Sequence, residues 1–240
     1  GMAPPMSSEI AEAMGLPSSE VSIINDPAIS VADIAQTGPT QALRNGGNQG
    51  TRYIAVGRLV AQKNFTLLIR AFAAMASPQD GLTILGDGPE RMSLTRLIAQ
   101  VGMIGQVRMP GHIGPVMDQL RASDVFVLSS DYEGVPAVII EALAVGLVIV
   151  ATDCSVSMAS LLEDGALGDL VPRRSVWFLE QAMRAAAVRT SDPGRAKRQA
   201  GRFTVECAAD AYAALFARTV IETRNAPDPK KNSLTVDAML

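Results

Sequence analysis

Two glutamates, Glu133 and Glu141, stand at either end of the apolar stretch "EGVPAVIIE" and are the first candidates for chemistry. Pro136 fits the first position of a helix, where its missing N–H costs nothing, and Gly146 fits the position just past the end. A helix from about Pro136 to Val145 separates the two carboxylates by on the order of 10 Å. That separation is too wide for a shared proton or a metal, and it exceeds the roughly 5 to 9.5 Å between paired glycosidase carboxylates. The spacing therefore favours two separate contacts with one extended ligand.

The turn before this helix is a candidate anion site. Backbone N–H groups at a helix N-terminus, here including those of Gly134 and Val135, lack intrahelical partners and lie beside the positive end of the helix dipole. They suit an anionic or hydroxyl-rich ligand. The structural alternative is that Glu133 is a cap and Glu141 a helix-surface residue.

A basic cluster follows the first apolar run of the main domain, in "VGRLVAQKN". Gly57 allows close backbone approach, while Arg58 supplies a planar guanidinium and Lys63 a compact ammonium charge. Both cations at the end of a strand suit a diphosphate. The alternative is an exposed basic loop without a ligand, because isolated arginines and lysines are common in loops.

Other chemical motifs are broken or absent from the sequence. "LGDGPER" provides Gly86-x-Gly88 with an arginine in the third-glycine position, and no acidic residue lies about 20 positions further on, as a nicotinamide site requires. The pattern instead predicts a tight turn from strand to helix. His112 is the only histidine and cannot build a metal site alone, and Asp131-x-Glu133 is the nearest approach to an Asp-x-Asp pair. We therefore expect no metal and no cofactor.

The elements that must position these residues alternate along the chain from residue 52 onward. Short apolar runs such as "RYIAVG", "LTILG", "VFVLSS" and "LVIVATD" are each followed by a segment of helical period. This alternation predicts an α/β fold with a doubly wound, Rossmann-like parallel sheet, whose uninterrupted apolar strands are buried on both faces. Ligands of such sheets bind beyond the carboxyl ends of the strands, which is where the candidate residues lie.

Composition excludes several classes of function. The 240 residues are 48% hydrophobic and carry a net charge of −3, and their 21 Lys and Arg are scattered, which argues against nucleic acid as a partner. The longest uncharged apolar stretch, from Ala142 to Thr152, is well short of the roughly 20 residues of a transmembrane helix. The two cysteines lack metal-ligand spacing and a disulfide framework, which favours a cytoplasmic location.

The chain divides into three predicted segments. Residues 1–50 form a lead-in and linker with one short strand, "VSIIN", and one helix, "SSEIAEAMG". Residues 51–225 form the main domain, and residues 226–240 form a C-terminal tail.

Four ordered blocks, "AVGRLVAQKNFTLLIRAFA", "LTILGDGPER", "DVFVLSSDYEGVPAVIIEALAVG" and "VATDCS…LLEDGALGDLVP", closely resemble the donor-binding half of the family 4 retaining glycosyltransferases. The resemblance spans roughly residues 50 to 225 and implies one half of a GT-B fold. The chain departs from the family where Leu147 and Val148 replace a Thr-Pro pair, and where "SVSMASLL" replaces a loop of small residues. The second departure is expected to alter the sugar or acceptor side of the cleft.

The resemblance implies a role for each candidate residue. Arg58 and Lys63, after Gly57, match the pair that binds the donor diphosphate and stabilises it as a leaving group. Glu133 matches a glutamate near the transferred sugar, and Glu141 matches one that holds the ribose hydroxyls. The remaining implied donor contacts are the backbone of Gly134 and Val135, and a loop of Gly111, His112 and Ile113 that packs on the base.

The implied activity is transfer of a hexose from a nucleotide-diphospho-sugar with retention of anomeric configuration. The leaving diphosphate is stabilised by two cations and a helix N-terminus, so no divalent metal is required. The resemblance also implies that a separate N-terminal domain binds the acceptor, which would be a sugar, a lipid-linked glycan or a polysaccharide at the inner membrane surface. We expect this chain to lack that domain. We expect the chain alone to bind donor weakly and not to transfer sugar.

Two other functions remain open on the sequence. The first is a non-catalytic nucleotide-binding or protein-interaction module of the same fold, which the intact Arg58, Lys63, Glu133 and Glu141 disfavour. The second is a nicotinamide oxidoreductase, which the broken glycine pattern disfavours.

Overall fold

Six strands form one parallel sheet in the computed structural model, which describes residues 10–17, 21–36 and 50–225. The strands are β1 (Arg52–Val56), β2 (Gly81–Leu85), β3 (Val107–Gly111), β4 (Val125–Leu128), β5 (Val148–Thr152) and β6 (Asp169–Val171). Their spatial order is β3-β2-β1-β4-β5-β6, and each neighbouring pair is parallel. The winding reverses between β1 and β4, which confirms the predicted doubly wound α/β fold.

Helices connect the strands and cover both faces of the sheet. Helix α1 includes residues 10–14. The others are α2 (Val31–Ala35), α3 (Phe65–Met75), α4 (Arg91–Gln100), α5 (Val116–Arg121), α6 (Ala137–Val145), α7 (Met158–Leu161), α8 (Val176–Ala186), α9 (Pro193–Ala200) and α10 (Val205–Asn225). Short 3-10 turns occupy Ala61–Lys63, Glu163–Gly165 and Gly201–Phe203.

The central strands are buried on both faces because each face packs against a separate hydrophobic cluster. Val125 and Val127 of β4 belong to the cluster that includes α3, α4 and α8. Phe126 and Leu128 point to the opposite face and join the cluster built around α6 and α9. Full burial of such a side chain stabilises the fold by roughly 1.5 to 3 kcal/mol. Period-two alternation therefore fills both cores from one uninterrupted apolar run.

The glycines of "LGDG" allow two loops to pack backbone against backbone. Gly86 has a φ of 133°, and a Cβ at this position would lie 2.0 Å from the carbonyl oxygen of Gly57. The N–H of Leu59 donates to the carbonyl of Asp87 at 2.9 Å. The structure thus contains the tight turn that the sequence predicts, and this turn supports the loop that carries Arg58.

Helix α6 begins one residue later than predicted. Pro136 is its N-cap, with φ −74° and an extended ψ of 104°, rather than its first helical residue. Its carbonyl accepts a hydrogen bond from the N–H of Ile139 at 3.0 Å. A proline is tolerated at either position because neither requires its N–H, so the extended ψ decides the boundary. Gly146, at φ 82°, ends the helix as predicted.

The N-terminal segment follows the last helices instead of adding a strand to the sheet. Residues 21–28, which include the expected strand "VSIIN", have no regular secondary structure. Ile29 forms an isolated parallel bridge with Thr204, and the N–H of Ala28 donates to the carbonyl of Phe203 at 2.9 Å. Almost the whole main domain separates these two pairs of residues in sequence. The local pattern of "VSIIN" therefore does not reveal what the segment packs against.

Two parts of the predicted organisation lie outside the described residues. They are most of the linker, residues 37–49, and the tail, residues 226–240. Among the helices of the described segments, none has the length and apolar character needed to span a membrane.

We predict that Gly88→Ala destabilises the domain because the backbone leaves no space for a Cβ. That atom would lie 2.4 Å from the carbonyl oxygen of Leu59. We expect the free energy of unfolding in urea to fall by about 1–3 kcal/mol. Gly81→Ala is the control, since its Cβ would have its nearest neighbour, the carbonyl oxygen of Gln106, at 3.9 Å. Equal stability of the two variants would contradict the proposed packing.

Candidate functional site

A salt bridge joins the two strands between which the winding of the sheet reverses. The Nζ of Lys63, in the turn after β1, lies 2.5 Å from Oε1 of Glu133, in the loop after β4. The side chains are only 18% and 10% exposed. Removing one partner of such a pair leaves an uncompensated charge with little water around it. The pair therefore fixes both loops at the place where doubly wound sheets bind ligands.

Glu133 is held through one carboxylate oxygen. Ser130 Oγ donates to the same Oε1 at 2.6 Å, and the N–H of Glu133 donates to the carbonyl of Cys154 at 2.9 Å. No residue of the described part of the chain forms a hydrogen bond with Oε2. One oxygen thus fixes the carboxylate, and the other retains its lone pairs for a ligand.

The residues on either side of the lysine hold the loop that precedes this glutamate. Gln62 Nε2 donates to the carbonyl of Tyr132 at 2.8 Å, and Asn64 Nδ2 donates to Oδ1 of Asp131 at 3.0 Å. Arg174 Nη2 lies 2.9 Å from Oδ2 of Asp131. The hydrogen bond from Arg174, and next that from Asn64, hold the pKa of Asp131 below its usual range. The β1, β4 and β6 loops are therefore interlocked around one carboxylate.

Arg58 borders a cavity of about 210 Å³ at the carboxyl ends of β1, β2 and β3. Gly57, His112 and Ile113 also line this cavity, which we name the donor cavity after the ligand that the family resemblance implies. The guanidinium of Arg58 is exposed and forms no hydrogen bond or salt bridge with a described residue. The basic cluster and the loop of the only histidine, which are distant in sequence, thus share one cavity.

Gly57 gives space to the lysine side chain. A Cβ at Gly57 would lie 3.1 Å from Cε and 3.3 Å from Cδ of Lys63. The close approach predicted at this glycine is therefore made, in the structure, by the stem of Lys63 on its way to Glu133.

Two serines orient the backbone at the start of α6. Ser155 Oγ and Ser157 Oγ donate to the carbonyl of Gly134 at 2.6 and 3.0 Å. In a trans peptide the C=O and the following N–H point in opposite directions, so this anchoring turns the N–H of Val135 away from the serines. Within the described residues, the N–H groups of Gly134 and Val135 have no acceptor. The N-terminus of α6 thus presents the two free donors that the sequence predicts.

Glu141 lies in the second turn of α6 and is half-buried. Its carboxylate accepts no hydrogen bond from a described residue. Burial, and next the negative charge of Asp33 on α2, raise the pKa of Glu141 above its ordinary value of 4.5. This carboxylate is not a simple helix-surface residue, and no cation of the described residues forms a salt bridge with it.

The site has neither a metal-ligand cluster nor a reactive thiol. No group of three or more His, Cys, Asp or Glu side chains in residues 10–17, 21–36 and 50–225 could hold a metal ion. Cys154, whose carbonyl contacts the Glu133 loop, is buried, and burial raises the pKa of its thiol to about 11. A thiol with this pKa remains protonated at neutral pH and is a poor nucleophile.

A family model described as "Glycosyl transferases group 1" matches residues 50–187. The chain belongs to this family. It is 34% identical over 169 residues to the lipopolysaccharide core biosynthesis glycosyltransferase LpsE of Rhizobium meliloti (strain 1021). The aligned residues make up 68% of this chain and 49% of LpsE. The chain therefore spans about half the length of this curated relative.

Two solved structures show the same fold. The lipopolysaccharide outer core galactosyltransferase WaaB superimposes with a TM-score of 0.73 at 19% identity, over 90% of this chain and 60% of WaaB. Anabaena HepE in complex with UDP superimposes with a TM-score of 0.71 at 22% identity, over 90% of this chain and 62% of HepE. The predicted fold class, a Rossmann-like half of a GT-B fold, is thereby confirmed.

The structure brings most of the predicted site residues to one edge of the sheet. Five of them line the donor cavity, namely Gly57, Arg58, Gly111, His112 and Ile113. The others, Lys63, Glu133, Gly134 and Val135, lie at the β1–β4 junction. Glu141 is one turn further along α6 and does not line the donor cavity as the structure describes it. The roles of these residues in binding remain predictions.

Six supporting residues were missed from the sequence. Ser130 holds Glu133, Gln62 holds the carbonyl of Tyr132, Asn64 and Arg174 hold Asp131, and Ser155 and Ser157 hold the carbonyl of Gly134. The departure "SVSMASLL" pointed to the loop of two of them. Only the fold shows that its hydroxyls reach a carbonyl more than 20 residues earlier.

We predict that Glu141→Gln stabilises the protein at neutral pH. The pKa of Glu141 is raised in the folded state, so its ionisation lowers the free energy of unfolding of the wild type. This penalty is absent at low pH, where the carboxyl is protonated, and develops as the pH rises through the folded-state pKa. Urea unfolding at pH 8 should show a gain on the order of 0.5–1 kcal/mol, with a smaller gain as the pH approaches 4.5. Glu12→Gln, at an exposed position of α1, should change nothing. A destabilised Glu141→Gln variant at pH 8 would show that an unrecognised partner compensates the carboxylate.

Proposed function

We propose that this chain is the donor-binding domain of a hexosyltransferase that uses a nucleotide-diphospho-sugar, retains the anomeric configuration and requires no divalent metal. The observation that carries the proposal is the convergence of cationic and N–H donors at the β1–β4 junction. Lys63 and the N–H groups of Gly134 and Val135 lie at that junction, and Arg58, which also follows β1, lines the donor cavity that extends from there toward β3. Donors of this kind match the oxygen atoms of a diphosphate.

The donor would extend across the edge of the sheet. Its base would occupy the donor cavity against His112 and Ile113, and its diphosphate would lie between Arg58 and the N-terminus of α6. Glu141 would hold the ribose hydroxyls, which would supply the hydrogen bonds that its half-buried carboxylate lacks. The free Oε2 of Glu133 would accept a hydrogen bond from a hydroxyl of the transferred sugar.

The chemistry follows from charge. Cleavage of the bond between the anomeric carbon and the diphosphate leaves the electron pair on a phosphate oxygen. Arg58, Lys63 and the dipole of α6 stabilise that developing charge in place of a metal ion. The ammonium group of Lys63 has three N–H donors. One of them donates to Glu133, and the other two are available to the leaving group. The acceptor hydroxyl would attack the anomeric carbon from the same face as the diphosphate departs, and its proton would pass to a phosphate oxygen of the leaving group.

The names of similar proteins indicate the donor and the acceptor class. HepE was solved with UDP, which makes UDP the appropriate first probe. LpsE is named for lipopolysaccharide core biosynthesis, so we propose a sugar, lipid-linked glycan or polysaccharide acceptor at the cytoplasmic membrane surface. Because the chain spans about half of LpsE, transfer would require an acceptor-binding domain in addition. Transfer restored by adding that domain would decide against a non-catalytic module.

We predict that the double variant Arg58→Gln/Lys63→Met binds UDP at least about 100-fold more weakly than the wild type in isothermal titration calorimetry. Two charge-assisted hydrogen bonds, each contributing roughly 1.5–3 kcal/mol, are lost. Arg58→Gln alone should weaken binding by about tenfold or more without disturbing the salt bridge of Lys63. Arg70→Gln, at an exposed position of α3, is the matched control. Unchanged affinity of the double variant would refute the site.

Two further titrations separate the parts of the donor. Glu141→Ala should weaken the binding of UDP but leave the binding of inorganic pyrophosphate unchanged, because only UDP carries a ribose.

The second titration concerns metal independence. The affinity of the wild type for UDP should be the same with and without EDTA. A loss of binding in EDTA would contradict the proposed metal independence.

We also predict that the double variant Ser155→Ala/Ser157→Ala binds pyrophosphate and UDP more weakly than the wild type, each by a factor of about ten. The Gly134 carbonyl would lose both hydroxyl donors and would no longer fix the direction of the Val135 N–H, which costs about one charge-assisted hydrogen bond. Ser160→Ala, at an exposed position of α7, should bind normally. Wild-type affinity of the double serine variant would remove the serines from the site.

A further inference from the structure

A second cavity, of about 590 Å³, opens at the carboxyl ends of β4, β5 and β6. We name it the β4–β6 pocket, and its lining residues are Asp131, Tyr132, Asp153, Pro172, Arg173 and Arg174. Because β1 and β4 are neighbours, the salt bridge of Lys63 and Glu133 lies between this pocket and the donor cavity. Small-molecule sites have volumes of about 300–1,000 Å³. The pocket is therefore large enough for a ligand, and the proposed donor does not use it.

An exposed aromatic ring is presented at this pocket on a fixed backbone. The Tyr132 side chain is 63% exposed, while its carbonyl accepts the hydrogen bond from Gln62. The preceding N–H, that of Asp131, donates to the carbonyl of Gln62 at 2.8 Å. The backbone that carries this exposed ring is thus fixed, and the ring packs on no other aromatic ring of the described residues. Such a ring can stack on the apolar face of a flat or ring-shaped ligand.

The charges that line the pocket balance. The salt bridge of Arg174 with Asp131 cancels one pair. Arg173 uses one N–H, which donates to the carbonyl of Asp131 at 3.1 Å, and keeps its other donors. No described residue donates a hydrogen bond to the carboxylate of Asp153. A guanidinium with unused donors and a carboxylate with no donor from the described residues suit a neutral ligand whose groups both donate and accept.

The rim of the pocket is held in a backbone conformation that arginine rarely adopts. Arg174 has a φ of 60°, in the left-handed region. Its guanidinium makes two contacts with Oδ2 of Asp131, from Nε at 3.1 Å and from Nη2 at 2.9 Å. Such a conformation persists where the surrounding contacts fix it, and it occurs preferentially at ligand sites.

We propose that the β4–β6 pocket binds a neutral sugar ring of the acceptor. Hydroxyl groups would pair with Arg173 and Asp153, and the apolar face of the ring would stack on Tyr132. The proposal rests on the proposed function, since it needs the donor sugar at Glu133, next to Tyr132 in the chain. The donor domain would then contribute to acceptor choice, with a preference for neutral sugars over phosphorylated or acidic ones.

Saturation-transfer NMR on the chain with saturating UDP tests this proposal. The probes are methyl α-D-glucoside, methyl α-D-galactoside and methyl α-D-mannoside. At least one of these glycosides should receive saturation. Tyr132→Ala and Asp153→Ala should each lower the affinity for that glycoside by roughly tenfold. Tyr132→Phe should retain binding. Trp177→Ala is the matched control, because Trp177 is 61% exposed on α8 and does not line the pocket.

Glucose 6-phosphate is added as a charged comparison probe. The proposal would be overturned if no glycoside receives saturation, if saturation is unchanged in Tyr132→Ala, or if glucose 6-phosphate binds and the glycosides do not. Displacement of the glycoside by UDP-2-deoxy-2-fluoroglucose but not by UDP would also overturn it, because the pocket would then hold the sugar of the donor. UDP affinity, measured in the same samples, distinguishes the two proposals. A failure of the donor site abolishes UDP binding, whereas Tyr132→Ala is expected to leave it unchanged.

Discussion

The salt bridge between Lys63 and Glu133 is the interaction on which the arrangement of this edge depends. It joins the loops after β1 and β4, which are neighbours in the sheet but start connections in opposite directions. Losing one partner of a buried pair typically costs about 3–5 kcal/mol. Gly57 provides the space for the lysine stem, and the turn at Gly86 supports the loop of Gly57. Gly57 and Gly86 are thus required by the packing around the salt bridge, whether or not a ligand is bound.

The three carboxylates near the site are stabilised in different ways, and the difference indicates their roles. Asp131 is fully engaged by Asn64 and Arg174, which suits a structural residue. Glu133 is engaged through one oxygen only, which both fixes it and leaves it able to bind. Glu141 is half-buried with no donor from the described residues, so it opposes folding at neutral pH. A group that is unfavourable for the fold, in the helix whose N-terminus forms part of the site, is consistent with a function that is maintained at the expense of stability.

The fold was predictable because its signals are local. Uninterrupted apolar runs that alternate with helical segments predict a parallel sheet, and each face of β4 is buried as its sequence requires. The boundary of α6 was wrong by one residue, since a proline fits both the cap and the first turn and sequence does not report ψ. The expected strand "VSIIN" was wrong because a short apolar run does not show which surface covers it. Here that surface includes the 3-10 turn of Gly201–Phe203.

The site was predictable only where side chains act through their own chemistry. Arg58, Lys63 and Glu133 carry charges whose spacing along strand ends suggests a ligand. The contacts that orient them are not visible in this way, because they join distant residues: Arg174 reaches Asp131 over 43 positions. The segment "GDLVP" closed the family resemblance without a role, and only the order of the sheet places its last residue, Pro172, and the two arginines after it at the pocket of Tyr132. The position of β6 next to β5, rather than any motif, is therefore what gives the carboxyl edge a second cavity, separated from the donor cavity by the one salt bridge that fixes both.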